Sequence, residues 1–203
     1  MKLSYLSRAI PLLLFVVMTS FCFADAPKIG DVAPEWKQLP GTDGKMHSSR
    51  DLGDMDAVVV CFTCNTCPYS IDYEDRLIAL QKKYTDAKAK VCVVAVNSNA
   101  VDVDDLPAMK QRAEEKQFNF AYIKDESQDL ARAFDAIYTP EFYVLNRERK
   151  IVYRGAMDDS TKAESVKVNY VALAVDAALQ GKLPERTAAG ARGCGIRFKR
   201  RRR

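Results

Sequence analysis

Ala57-Val-Val-Val-Cys-Phe62, then Thr63 and Cys64-Asn-Thr-Cys67-Pro68, is the stretch on which the reading of this chain turns. Its unbroken apolar run reads as a buried strand, and a cysteine pair spaced C-x-x-C follows at once. From Pro68 onward, Tyr69, Tyr73, Leu77, Leu80 and Tyr84 recur at helical spacing. The cysteines therefore fall on a strand-to-helix junction. Pro68 suits the first turn of that helix, where its missing N–H removes no bond. A thiol there faces unpaired N–H groups and the positive end of the helix dipole, both of which favour its thiolate. The thiolate is the form that attacks disulfides and peroxides or binds metals.

Outward from the junction, strands and helices alternate. Val91–Val96 reads as a second buried strand and 97–105 as a polar loop. Leu106–Gln117 reads as a helix, 118–123 as a short strand, and 128–134 as a short helix. Strands at 141–145 and 150–154 are joined by the turn Asn146-Arg-Glu-Arg149, so they pair antiparallel. A last helix is expected over 163–179, stopped by Gly181. Ahead of the junction, Asp43-Gly44 signals a hairpin. Continuous apolar strands between helices imply a three-layer α/β domain over a mixed sheet, with its chemistry at the carboxyl ends of the strands.

Lys2 and Arg8 precede the apolar run Ala9–Met18, and small residues follow at Ala24 and Ala26. This is the form of a secretory signal peptide, too short to span a bilayer. Phe21 before Cys22 argues against a lipid anchor. The expected organisation is a leader over 1–24, a domain over 25–183, and a C-terminal extension over 184–203. The mature protein would be exported, to the periplasm or beyond, with no stable membrane insertion after cleavage. Without the leader five cysteines remain: Cys61, Cys64, Cys67, Cys92 and Cys194. An odd count suits one working pair plus single thiols better than a disulfide framework. Cys61 and Cys92 sit inside apolar strands and read as small core residues. The net charge is +4, and residues 192–203 hold seven positive charges and no acid, which leaves the rest at −3. With no second basic stripe, this tail reads as a solvated, frayed terminus and not as a nucleic-acid site.

Several short marks narrow the identity. They are Lys28-Ile-Gly-Asp-Val-Ala-Pro34, Asp43-Gly-Lys45, the Cys-x-x-Cys-Pro after the strand, Asp125-Glu-Ser-Gln128, Thr139-Pro140-Glu-Phe-Tyr-Val, Tyr153-Arg-Gly155 with Asp158-Asp159, and Gly193-Cys-Gly-Ile196. Their order resembles the thioredoxin-like superfamily in its redoxin (AhpC/TSA-type) branch, and within it peroxiredoxin-like proteins carrying a dithiol. The resemblance implies a thioredoxin-like fold with an N-terminal hairpin extension. It also implies a cis bond before Pro140, which would turn Thr139 toward the thiols to pair with an extended substrate. The chain departs from the typical peroxiredoxin Pro-x-x-x-Thr-x-x-Cys segment. With Cys67 in the peroxidatic place, Val60 stands where the proline would be and Cys64 where the threonine would be.

Cys64 and Cys67 are the expected catalytic pair. In many thioredoxin-like proteins the first cysteine opens the helix and attacks. Counting from Phe62, however, puts Cys67 at the helix start as the exposed nucleophile, with Cys64 resolving. Thr139 and Pro140 are the expected substrate-binding residues. Cys194 stands open between a further resolving thiol and an unpaired thiol on a loose tail. The expected function is thiol–disulfide exchange with protein or small-molecule disulfides and a thiol electron donor, with no cofactor. Peroxide reduction by Cys67 is the alternative. Copper binding by Cys64, Cys67 and His47 and a non-catalytic module stand behind these. Cys61, Cys64 and Cys67 form a C-x-x-C-x-x-C run, but Ile71 occupies the fourth place an iron–sulfur segment needs. A zinc site would have to recruit Cys194. No metal is expected. His47, the sole histidine, reads as a surface loop residue.

Overall fold

The computed structural model describes residues 26–200. The expected leader and the last three arginines lie outside them. The central strand is β3 (Ala57–Phe62), and all six of its residues are buried. They divide by the strand period of two. Ala57, Val59 and Cys61 face one layer, and Val58, Val60 and Phe62 face the other. On the first face lie α1 (Pro68–Asp86), through Tyr73, Leu77, Leu80 and Tyr84, and α4 (Tyr170–Leu179), through Val171, Ala174, Val175 and Ala178. On the second face lie α3 (Asp129–Phe134), through Leu130, Ala131 and Phe134, and the N-terminal segment carrying Trp36. Toward one edge, α2 (Leu106–Lys116) buries Met109 against Ala95 and Tyr122.

Around β3 the sheet is mixed. On one side run the parallel strands β4 (Val91–Asn97) and β5 (Ala121–Lys124). On the other run β7 (Glu141–Leu145) and β8 (Ile151–Gly155), both antiparallel to their inner neighbours. The sixth strand, β9 (Ala188–Ala189), is parallel to β8. The expected N-terminal hairpin is a short ladder of β1 (Leu39–Pro40) and β2 (Met46–His47), turned at Gly44 with φ of +78°.

Three expectations need correction. The helix expected from 163 begins at Tyr170. The Asn169 side chain accepts from Ala172 N–H at 2.9 Å, and Asp159 takes the N–H groups of Lys167 and Val168, holding the preceding segment extended. At the other end Gly181 does stop this helix, with φ of +68° and its N–H on the Ala178 carbonyl. The strand expected over 118–123 pairs over Ala121–Lys124 against Val94–Asn97, and Phe118 and Phe120 stack on each other ahead of it. Lastly, the tail expected to be frayed over 192–203 is ordered in its described part, residues 192–200, as is the segment from 184 that leads into it. They supply β9, then β10 (Cys194–Gly195), which pairs antiparallel with β6 (Tyr138–Thr139). Ile196 is buried with the core, and the Arg132 guanidinium lies 4.4 Å from the Phe198 ring centre.

Candidate active site

Cys67 is the N-cap of α1 and Pro68 its first residue, so the second cysteine of the pair holds the helix start. Cys64 lies on the loop between β3 and α1. Beside both stands Thr139, whose bond to Pro140 is cis. As a thiol, Cys67 donates from Sγ to the Thr139 carbonyl at 2.9 Å. Cys64 Sγ lies 3.4 Å from Thr139 Oγ1. Thus the four residues expected to carry the chemistry are brought together.

Cys194 joins them. Its N–H donates to Cys67 Sγ at 3.4 Å, and its carbonyl accepts from the Thr139 hydroxyl at 3.4 Å. It is therefore no thiol on a loose tail. The expectation of an exposed Cys67 is also corrected, since only 2% of that residue is accessible. The strand carrying Cys194 lies against it.

The thiols differ sharply in acidity. Cys67 is pulled down to about 4, first by a hydrogen bond from Cys64 and then, against the cost of burial, by the Cys194 thiol and the Ser70 and Cys194 amides. Cys64 is pushed far up, first because its proton is held by Cys67, then by burial and by the negative charge of Asp104. Cys194 is pushed up to about 11 by the same hydrogen bonding to Cys67. The anionic sulfur is thus that of Cys67, with the Cys194 N–H pointing at it from 3.4 Å. The Thr139 carbonyl offers this anion no proton, so that contact belongs to the protonated form alone.

Two acids that sequence reasoning missed hold this arrangement. Asp104, fully buried, accepts from Asn65 N–H at 2.7 Å and from the Thr66 hydroxyl at 3.3 Å, pinning the loop between the cysteines. Asn97 and Asn99 also donate to it, at 3.1 and 2.9 Å. Glu141 accepts from the N–H groups of Ile137 and Tyr138 at 3.0 and 3.2 Å, which fixes β6 and hence Thr139. The only sequence signal for Asp104 was an acid-rich loop after a buried strand; Glu141 was hidden by its place in an apolar one.

His47 is engaged by Asp43 at 2.9 Å within the hairpin. Among the described residues no group of three or more His, Cys, Asp or Glu could hold a metal ion, and no helix is long and apolar enough to cross a membrane.

Comparison with known proteins places the chain in a family. A crystal structure of an uncharacterized conserved protein from Geobacillus kaustophilus is 34% identical, over 88% of this chain and 96% of that one, with a TM-score of 0.79. One of a hypothetical protein from Sinorhizobium meliloti 1021 is 30% identical, over 87% and 97%, with a TM-score of 0.77. Peroxidoxin BcpB from Mycobacterium tuberculosis shares the fold at 18% identity, over 76% and 95%, with a TM-score of 0.56. The comparison with curated proteins yields no match. The AhpC/TSA family model matches residues 29–154, from the N-terminal segment through the dithiol and the cis-proline to β8, and the chain therefore belongs to the AhpC/TSA family, whose activity is that of a thiol oxidoreductase or peroxidase-like enzyme.

Proposed function

We propose that this protein is an exported thiol–disulfide oxidoreductase in which Cys67 attacks and Cys64 resolves. The observation that carries the reading is the placement of the two thiols: Cys67 caps the start of α1, Cys64 lies on the loop just before it, and both touch Thr139 ahead of the cis-proline, with the acidity of Cys67 lowered and that of Cys64 raised. In the first step the Cys67 thiolate attacks a substrate disulfide. A bond forms from Cys67 to one substrate sulfur, and the other leaves as a thiolate. That step consumes the anion that had raised Cys64. With the largest cause gone, Cys64 loses its proton more readily, and the Thr139 hydroxyl can donate to the new thiolate. Cys64 then attacks Cys67 Sγ, forming the Cys64–Cys67 disulfide and releasing the second substrate thiol. Two electrons have passed to the substrate, and a thiol donor restores the dithiol. Export rests on the leader-like start of the sequence.

Peroxide reduction is the second reading, favoured by the family match. Cys67 would take one peroxide oxygen as a sulfenic acid and release the alcohol or water, and Cys64 would displace water to close the same disulfide. Cys64 in the place of threonine removes a hydroxyl from the peroxide site and supplies a resolving thiol. Disulfide reduction and peroxide consumption measured on wild type, Cys64→Ser and Cys67→Ser decide between them. The proposal expects Cys67→Ser to lose disulfide exchange and Cys64→Ser to accumulate a mixed disulfide. If neither substitution alters either rate, the dithiol is not the reacting centre.

A further inference from the structure

The segment that lies over Cys67 pairs with the short strand that runs into the cis-proline. Residues 194 and 195 run antiparallel to β6, with Cys194 opposite Thr139 and Gly195 opposite Tyr138. Ile196 N–H continues the pairing to the Ile137 carbonyl at 2.9 Å. The register places a cysteine, on an extended backbone, against the nucleophile. Beyond it Arg197 binds Asn99 and Gln128 through its backbone, and Gln128 also accepts from Lys199 N–H. Before it, Gly193 lies so close to β6 that a Cβ there would stand 2.1 Å from the Thr139 oxygen and 2.6 Å from its carbonyl carbon. No side chain fits, and the obstacle is backbone. The segment lies outside the residues that the family model matches.

We propose that the chain's own residues 193–195 are a tethered substrate mimic, occupying at rest the edge of β6 expected to pair with an extended substrate, and that the protein segment admitted there in their place carries a cysteine with glycine immediately before it. The partner displaces this strand, pairs with Tyr138–Thr139 in the same register, and presents its sulfur to Cys67. The glycine requirement follows from the clearance at Gly193, and the small accessibility of Cys67 follows from the resting occupant. The inference rests on the reading of Cys67 as nucleophile.

The test uses the full chain carrying Cys64→Ser and Cys194→Ser, which leaves the backbone pairing in place and Cys67 as the reacting thiol. The probe is the peptide Ala-Arg-Gly-Cys-Gly-Ile-Arg, its cysteine carried as a mixed disulfide with thionitrobenzoate. Attack by Cys67 forms the protein–peptide disulfide and releases coloured thionitrobenzoate. The background is the same variant with Cys67→Ser added. The proposal expects reaction about tenfold faster than with a peptide having valine before the cysteine, and about tenfold faster again when Gly193→Val displaces the resting strand. If Gly193→Val does not fold, the two peptides still decide on the parent variant. Equal rates for the two peptides would overturn the proposal. So would a protein that reacts with the small disulfide dithionitrobenzoate and with neither peptide, since the strand would then be a permanent cover. Failure to react with dithionitrobenzoate as well would instead defeat Cys67 as the nucleophile, and with it the function proposed above.

Discussion

Cys61 and Cys67 are almost equally hidden, at 0% and 2% accessibility, and their acidities move in opposite directions. Cys61 is pushed up by burial alone. Cys67 pays a burial cost too, and hydrogen bonds from Cys64, Cys194 and Ser70 outweigh it. The difference lies in where unpaired donors exist. Inside β3, ladders to β4 on one side and β7 on the other use the backbone N–H groups. Past Phe62 the ladder stops, and the sulfur at the helix start meets donors that a strand interior lacks: first the Cys64 thiol, then the Cys194 thiol, and last the Ser70 and Cys194 amides. A buried thiol becomes reactive at the end of a strand, and the same thiol a few positions earlier becomes packing.

The widest separation of the two sites is expected from serine substitution. Cys67→Ser should lower disulfide exchange about a thousandfold or more, while its stability matches wild type only near pH 4, where the contribution of the thiolate is gone. Cys61→Ser should do the reverse, placing a hydroxyl in an apolar layer at a cost of about 1–3 kcal/mol while sparing turnover per folded molecule. Parallel assays and urea melts check both. Loss of turnover in folded Cys61→Ser would break the comparison.

Asp104 tests whether donors, and not burial, set the contrast. Asp104→Ala removes the acceptor that serves the Asn65 amide, the Thr66 hydroxyl and the Asn97 and Asn99 side chains. A loss of about 3 kcal/mol is expected by urea unfolding. In the molecules that remain folded the loop holding Cys64 loosens. The pH midpoint for alkylation of Cys67 should then rise above that of wild type. An unchanged midpoint would mean that Cys64 does not depend on Asp104 to reach Cys67.

The part of this site that was legible in the sequence is the part built by local pattern. Ala57–Phe62 is an uninterrupted apolar run and Pro68 a helix-opening residue, so β3, the start of α1 and the place of Cys67 could all be read. Thr139 and Pro140 came from resemblance, not from pattern. What escaped was built by contacts between distant segments. β9 and β10 are two residues each, too short for any periodicity. Both are set by glycines that permit close approach, Gly155 against Ala189 and Gly193 against Thr139. A faint signal was present all the same. Cys194, Ile196 and Phe198 alternate with Gly195, Arg197 and Lys199, and the basic charge of the tail drew attention away from that strand pattern. The over-long last helix has a similar cause, because residues 163–165 favour a helix until Asn169 claims the cap.

Titration sharpens the contrast further. The folded value of Cys67, about 4, lies below that of an unfolded thiol, near 8.5. Between these values the unfolded chain binds a proton that the native state does not, so stability rises with pH. This contribution is complete above the unfolded value and is lost as pH falls through about 4. Cys61, raised in the fold, is protonated in both states over nearly all of that window and contributes almost no slope until pH nears the unfolded value. Urea midpoints of the reduced protein should therefore converge on those of Cys67→Ala as pH falls from 8 to 4, while the gap to Cys61→Ala stays nearly constant over the same range. Parallel curves for both variants would remove the charge from Cys67.

The smallest effect is expected at Thr139, whose single hydroxyl proton has two claimants. At rest it donates to the Cys194 carbonyl at 3.4 Å, and Cys64 Sγ lies at the same distance from its oxygen. In the proposed cycle residues 193–195 leave, and that proton is then free to stabilise the Cys64 thiolate, the species that would close the Cys64–Cys67 disulfide. Thr139→Val keeps the shape and the backbone carbonyl and removes only this donor. Bonds of this length are weak, so a loss of about 0.6 kcal/mol is expected, or roughly threefold in rate. The loss should fall on release of the mixed disulfide and not on its formation, because Cys67 is activated by other donors. Stopped-flow measurement of the two steps checks the assignment. Equal slowing of both would mean that Thr139 acts on Cys67 through the backbone, and that the two thiols are not separately tuned.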